Sequence, residues 1–479
     1  MITGPKNFLN ISYDELEELN LEAKSRVAEH HDPELLQEEY IRYLSDKKEI
    51  KAVTVCFSDL EGRLHMLDYD KKFLISSYDN LTFDGSSVRG FSGVSESDLR
   101  LKIDWGSFRW LPADVFGPGK VLVFGLIHAN NNTTYISDWR GRLAELSHQL
   151  WSTDKTVANI AVEIEGFLFK GINAEQQFRS DKGFEFVSTG GYYHSLPQDP
   201  LRQFIDRFAE AQRAMGFSNE KDHPEVAPSQ FELNFSYCDA LQSADQIQLY
   251  QLMARQIANG MGMTASFLPK PVPNVNGNGM HTNMSLARDG KNLFYSADGE
   301  DNLSDLAIGF VDRILNNAND LCLILNPSVN SYRRLDPAYE APNQIKSSAI
   351  DRTSMVRIPL GNEKSARIEV RSVAPDTNPY LLFYSLLKTG LEGPMPEALD
   401  SESRRTRTRF LPDKIHDALR HFKGSEYIKE LLGEENHSKY LELKRNAADR
   451  SPKLLGARIK TDEILFHHQV TNQYLWGQF

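Results

Sequence analysis

The apolar positions of this chain fall into two periods, and the changes between them outline its elements. Around residue 369 the period is two: Ile368 and Val370 alternate with Arg367, Glu369 and Arg371, so a β-strand here has one apolar face and one that reads cation, anion, cation. β-Branched and apolar runs predict further strands over 52–57, 63–69, 121–127, 161–169, 230–235 and 282–286. Turn residues over 59–62 join the first two of these into a hairpin. Ser12 with Glu15 forms a capping-box pattern, and the acids of that first turn suit the positive end of a helix running towards His30. Further helices are expected over 33–45 and 139–151, with an apolar stretch over 379–391 and a helical pattern over 413–432.

Between these elements lie loops of distinct character. Residues 83–87 read Phe-Asp-Gly-Ser-Ser, small polar residues around one carboxylate, Asp84. Three asparagines and a threonine over 130–133 mark the expected linker between a first domain (46–133), itself preceded by a helical extension (1–45), and a larger second one (134–479). Residues 326–342 are polar and turn-rich, with Arg333 and Arg334 near the start and Glu340 near the end, the pattern of a lid.

Composition narrows the function. A chain of 479 residues with 40% hydrophobic content can fill the cores of two or three domains. Its net charge of −12, with the one basic block at 404–409, argues against a nucleic-acid partner. Cys56, Cys238 and Cys322 stand far apart without a CxxC pair, which suggests neither a disulfide frame nor a zinc site and fits a reducing compartment. Apolar runs fall short of the roughly 20 residues that span a bilayer, and the acidic N-terminus is unlike a secretion signal, so a cytoplasmic location is expected.

The candidate chemistry is carried by carboxylates. Glu163 and Glu165 share one face of a strand, roughly 6 to 7 Å apart by strand rise, with no lysine or arginine inside 161–169 to neutralise them. Glu225 and Glu232 lie in or beside the strand at 230–235, and Glu369 adds a fifth. Such an oxygen-rich set suits Mg²⁺ or Mn²⁺ better than zinc. Asn276-Gly277-Asn278-Gly279-Met280-His281 lets backbone approach a ligand closely and sets His281 at a strand entrance as metal ligand or hydrogen bonder. Arg352, Arg357, Lys364, Arg367 and Arg371 form a local cationic excess in an acidic chain, which points to an anionic ligand such as a nucleotide polyphosphate.

Six motifs, FDGSS at 83, E-x-E at 163, EVAPSQFE at 225, NGNGMH at 276, NPSVNSYRRLDPAYEAP at 326 and RIEVR at 367, resemble in content and order the signatures of glutamine synthetase of the bacterial type I class. The resemblance spans roughly residues 50–400. It implies an α+β fold: a β-grasp N-terminal domain and a larger catalytic domain with a curved antiparallel sheet flanked by helices. Two stacked hexameric rings are implied as well, a homo-dodecamer with active sites between subunits, the FDGSS loop coming from the neighbour. By motif, one metal site would be Glu165, Glu225 and Glu232 and the other Glu163, His281 and Glu369, holding two or more Mg²⁺ or Mn²⁺ ions. ATP would meet Glu220, Ser285, Arg352, Arg357, Lys364 and Arg367. Glutamate would meet Asn276, Gly277, Arg334 and Arg371, while Asp84, Ser87, Tyr192, Glu225 and Glu340 match the ammonium pocket. Asp84, Glu340 and Arg352 would be catalytic, with Glu340 on the closing flap.

The implied reaction joins ammonia to L-glutamate through γ-glutamyl phosphate with cleavage of ATP. The sequence departs from the family pattern at Gly166-Phe167, Asn283, Arg89, Phe91 and Gly93, and residues 409–412 replace the region of the tyrosine that some members adenylylate. Two alternatives stand beside this reading: a γ-glutamyl ligase acting on an amine such as putrescine, and a ring-forming homologue without catalysis. Retention of Asp84 speaks against the first and retention of all six metal ligands against the second.

Overall fold

The structure, a computed structural model, describes residues 11–93, 97–175, 177, 183–335, 341–395 and 409–449. Its first sheet contains β1 (Ala52–Ser58), β2 (Leu64–Asp70), β3 (Leu81–Asp84), β4 (Asp98–Trp110) and β5 (Lys120–His128) in the order β2-β1-β5-β4-β3. The expected hairpin is the antiparallel β1–β2 pair, and β1 runs parallel to β5. Both faces of this sheet are covered. Val53, Val55, Val121 and Val123 point into a core shared with α1 (Tyr13–Ala28), α2 (Pro33–Asp46) and α3 (Lys71–Ser77), whereas Cys56, Leu122 and Phe124 point into the core of the larger region. The strand period of two thus serves two cores at once, and β1 reads as a continuous apolar run.

The second sheet is built on β6 (Thr156–Lys170), where even-numbered residues from 156 to 164 are buried and odd-numbered ones, including Glu163 and Glu165, face the other way. Around it run β7 (Asn219–Pro224), β8 (Gln230–Phe235), β11 (Met280–Arg288), β13 (Gln344–Ser348), β14 (Ser354–Arg357) and β15 (Ile368–Val370), in the order β13-β14-β15-β11-β6-β8-β7. The short β9 (Cys238–Asp239), β10 (Met263–Ser266) and β12 (Lys291–Asn292) pair beside this path. The pairs are antiparallel except β13–β14, a parallel pair the expected antiparallel sheet did not include. Its core is completed by helices after the short α4 (Ala113–Phe116): α5 (Trp139–Asp154), α6 (Pro200–Ala214), α7 (Ala240–Gly260), α8 (Asp305–Asn316), α9 (Ala318–Leu325), α10 (Val329–Arg334) and α11 (Pro379–Glu392). The helical pattern over 413–432 is two helices, Ile415–Gly424 and Glu426–Leu432, because Ser425 caps the second by accepting from the Ile428 N–H; Glu434–Asp449 follows. The polar stretch at 326 is partly helical, since Ser328 and Ser331 cap each other's backbone at the start of α10.

Two buried polar groups join the regions. Arg140 of α5 donates through Nε and Nη2 to both oxygens of Asp245 (2.8 and 2.7 Å) and through Nη2 to Asp104 of β4 (2.7 Å). Asn20 of α1 donates to the carbonyls of Trp110 and Ala214. No helix among the described residues is long and apolar enough to cross a membrane.

Candidate active site

Strand register assembles the acidic residues. On one side of β6, Glu163 stands opposite His281 of β11, and Asn283 of β11 stands opposite Glu369 of β15. His281 Nδ1 lies 3.4 Å from Glu163 and 3.7 Å from Glu369, so this motif-assigned triad converges, with one donor atom of each within 4.8 Å of the others. Burial alone would raise the Glu163 carboxyl, but the hydrogen bond and charge of His281, with the Asn283 amide, hold it at about 2. Glu369 is clamped by two guanidinium groups, Arg357 at 2.9 Å and Arg371 at 2.8 Å. Arg367, the third charge of that strand face, turns to the Asn283 carbonyl at 2.9 Å. The Asn283 amide therefore links Glu163 to Arg367.

On the other side of β6, Glu165 stands opposite Glu232 of β8, which stands opposite His223 of β7. His223, Glu225 and Glu232 form the second convergent group. Sequence reasoning passed over His223, although its separation of two from Glu225 puts both on one side of an extended chain. Glu165 is placed behind this group, accepting from the Gly279 N–H at 2.7 Å and from Gln230 Nε2 at 3.4 Å. Burial, with Glu165 and Glu232 beside it, pushes the Glu225 carboxyl up to about 7. Buried carboxylates that raise one another fit a divalent cation, whose charge removes their repulsion. Glu225 is protonated below about 7 and must release that proton to ligate, so cation affinity should rise with pH through this value. Calorimetry of Mn²⁺ binding at pH 6 and 8, in buffers of different ionisation enthalpy, measures this; equal affinity and no proton release would contradict it.

The glycine motif lies against the arginines. A Cβ on Gly277 would sit 2.4 Å from the Pro269 carbonyl oxygen, so that position accepts no side chain, and one on Gly279 would sit 2.6 Å from Arg334 Nη2 and displace that guanidinium. Arg334 donates Nη2 to the Arg371 carbonyl at 3.0 Å. Its Nη1 and the Nε of Arg371 are buried donors without hydrogen-bond partners among the described residues, the condition of groups shaped for an anionic ligand. Burial and neighbouring Arg371 lower Arg334 to about 10. Asn276 is half-buried beside Gly277.

Beside the Glu163 triad opens a cavity of about 310 Å³ whose lining includes Glu220, Ser285, Lys364 and Arg367, four of the residues assigned to nucleotide, and Phe235 and Tyr237 as its aromatic members. Arg357 reaches the triad through Glu369, while Arg352 is exposed in the turn between β13 and β14. Tyr192 stacks on Tyr193 and both set ring edges towards His223, placing Tyr192 at the second group. Asp84 and Ser87 are elsewhere, at the end of the edge strand β3. Asp84 accepts from the Ser86 N–H, the Ser86 hydroxyl and the Ser87 hydroxyl, and these bonds lower its carboxyl. Glu340 lies outside the described residues.

The departures have local explanations. A Cβ on Gly166 would meet the Phe231 ring at 2.5 Å; Phe167 stacks on Phe169; Arg89 pairs with Glu61 at 2.8 Å; and Phe91 packs on Phe57 and Tyr135.

Residues 49–127 match the family described as glutamine synthetase, beta-Grasp domain, and residues 137–454 match glutamine synthetase, catalytic domain. A glutamine synthetase of Methanosarcina mazei is 34% identical over 409 residues, 82% of this chain and 90% of that protein. One from Staphylococcus epidermidis is 32% identical over 422 residues, 84% and 93% respectively. Among solved structures, a GmaS/ADP complex is similar with a TM-score of 0.72 at 26% identity, covering 87% of this chain and 99% of the other. Plasmodium falciparum glutamine synthetase gives 0.77 at 22% identity, covering 90% and 98%, a likeness of fold.

Proposed function

Because this chain belongs to the glutamine synthetase family, we propose that it ligates ammonia to the γ-carboxyl of L-glutamate, forming glutamine, ADP and phosphate by way of γ-glutamyl phosphate. The observation that carries this reading is an adjacency: two acidic groups flank one strand, next to buried arginine donors and a cavity lined by the nucleotide-assigned residues. Mg²⁺ or Mn²⁺, held by Glu163, His281 and Glu369 and by the Glu225–Glu232 group with Glu165 beside it, would supply neutralisation of phosphate charge.

The remaining work falls to the chain's own residues. Lys364 and Arg367 hold phosphate oxygens, and Arg357, anchored on Glu369, is positioned to meet negative charge as it spreads during phosphoryl transfer. Arg334 and Arg371 orient glutamate through Nη1 and Nε, with the Gly277 backbone against it. Arg352 enters this scheme as a residue that meets ATP on its arrival. Ammonium is not a nucleophile, so acids must attract it and take a proton; Asp84 and Glu340, with Tyr192 and Ser87, are assigned to that pocket.

Asp84 lies at the end of the edge strand β3 and accepts hydrogen bonds from Ser86 and Ser87 of its own loop. This supports a site completed by a neighbouring subunit within a closed ring of two stacked hexamers. Asp84→Ala and Glu369→Ala subunits, each nearly inactive, should regain partial activity when mixed into one oligomer. Verified mixed oligomers without recovery would indicate a site contained in one chain. The reaction itself is tested by ATP hydrolysis dependent on glutamate, with ammonium compared against putrescine and ethanolamine. Preference for an amine would overturn the assignment in favour of γ-glutamyl amide synthesis.

A further inference from the structure

Resting on the two-cation reading above, we propose that His223 is a direct metal ligand through Nε2, so that the Glu225–Glu232 site, like the Glu163–Glu369 site, includes an imidazole. His223 is 6% exposed and stands opposite Glu232 in the β7–β8 register. Its two ring nitrogens have different surroundings. Nδ1 lies 3.1 Å from the Pro224 carbonyl and 3.6 Å from Glu225 Oε1. A carbonyl only accepts, so the nitrogen facing it carries the hydrogen. Nε2, also buried, faces Glu232 Oε1 at 3.5 Å, an ion pair when the ring is protonated and, in the neutral ring, a lone pair aimed at the carboxylate.

Such a pair of buried donor atoms needs a positive charge between them, and a divalent cation can take the place of the ring proton and be ligated by both. An imidazole that gives one N–H to a backbone carbonyl and aims the other nitrogen at carboxylates has the orientation of a metal-bound histidine. Tyr192 and Tyr193 hold the ring plane, their rings 5.6 and 4.8 Å away at 83° and 86°. A nitrogen donor in each site shifts preference towards Mn²⁺ or Co²⁺ relative to Mg²⁺, which favours oxygen alone.

Mn²⁺ binding to the full oligomer is the test. In a His281→Gln variant the imidazole of the other site is gone, so imidazole-nitrogen modulation in the pulsed electron paramagnetic resonance of bound Mn²⁺ reports His223. That modulation should be present in His281→Gln and absent in His281→Gln/His223→Gln. His223→Gln alone should weaken binding of one Mn²⁺ by at least about tenfold, with a smaller change for Mg²⁺. Mn²⁺ bound by His281→Gln without nitrogen modulation overturns the ligand assignment and leaves the two-cation reading in place, whether or not the double variant folds. Wild type that binds no Mn²⁺ overturns both.

Discussion

An Asp84→Ala variant should form glutamine from ammonium about 100- to 10,000-fold more slowly, the range associated with lost acid–base assistance. Phosphoryl transfer from ATP to glutamate should persist better. The structure sharpens the reason. Three hydrogen bonds from Ser86 and Ser87 keep the Asp84 carboxyl ionised and exposed, so it attracts a cation strongly and is a weak base on its own. It thus draws ammonium to the site as well as helping to take its proton. Hydroxylamine is largely uncharged at neutral pH and does not need this attraction, so γ-glutamyl hydroxamate formation should fall much less than glutamine formation. Equal losses with both nucleophiles would place Asp84 in an earlier step; no loss with ammonium would remove it from the reaction.

Arg140→Ala should destabilise the subunit by about 3–5 kcal/mol, the cost typical of breaking a buried ion pair from one side. The Arg140 side chain is 1% exposed and serves two carboxylates, Asp245 and Asp104, while Tyr380 donates to Asp245 at 2.7 Å. Removing the guanidinium leaves Asp245 charged and enclosed, and takes away the contact between α5 and β4. Arg140→Met combined with Asp245→Leu should be less harmful than Arg140→Ala, because it removes both charges. Denaturant midpoints at fixed protein concentration measure both variants. A loss below about 1 kcal/mol for Arg140→Ala would mean that water reaches the pair and screens it.

Where each face of a strand meets a different environment, alternation was legible in the sequence. It located β8 to the residue, placed Ile368 and Val370 in the core, and put Glu163 and Glu165 on the opposite face of β6 from the buried even-numbered residues. What alternation did not carry was the lateral neighbour. Glu163 and Glu165 share a face, yet one meets His281 on β11 and the other meets Glu232 on β8, because β6 runs between these two strands. The spacing of two between His223 and Glu225 is a local signal, but the approach of His223 to Glu232 depends on a register across β7 and β8 that no local spacing encodes. Helix α7 left little signal: residues 242–250 are all buried, polar ones included, so an amphipathic period is missing there. Asp84 is conspicuous by motif alone, and its place on the edge strand β3, in the sheet other than that of Glu163 and Glu369, is information only three dimensions hold.

Asn20 has a consequence for the birth of the protein. Its amide joins Trp110 to Ala214, and the second of these partners lies 194 residues downstream. At a synthesis rate of about 5–20 residues per second, Asn20 of helix α1 is made roughly 10 to 40 s before that carbonyl. Throughout that interval its inward stripe, Leu16, Asn20 and Ala23, lacks the surface it finally covers on α6. Helix α1 therefore waits for α6 before its stripe is covered on that side, and for that interval the stripe is a surface a nascent-chain chaperone could bind.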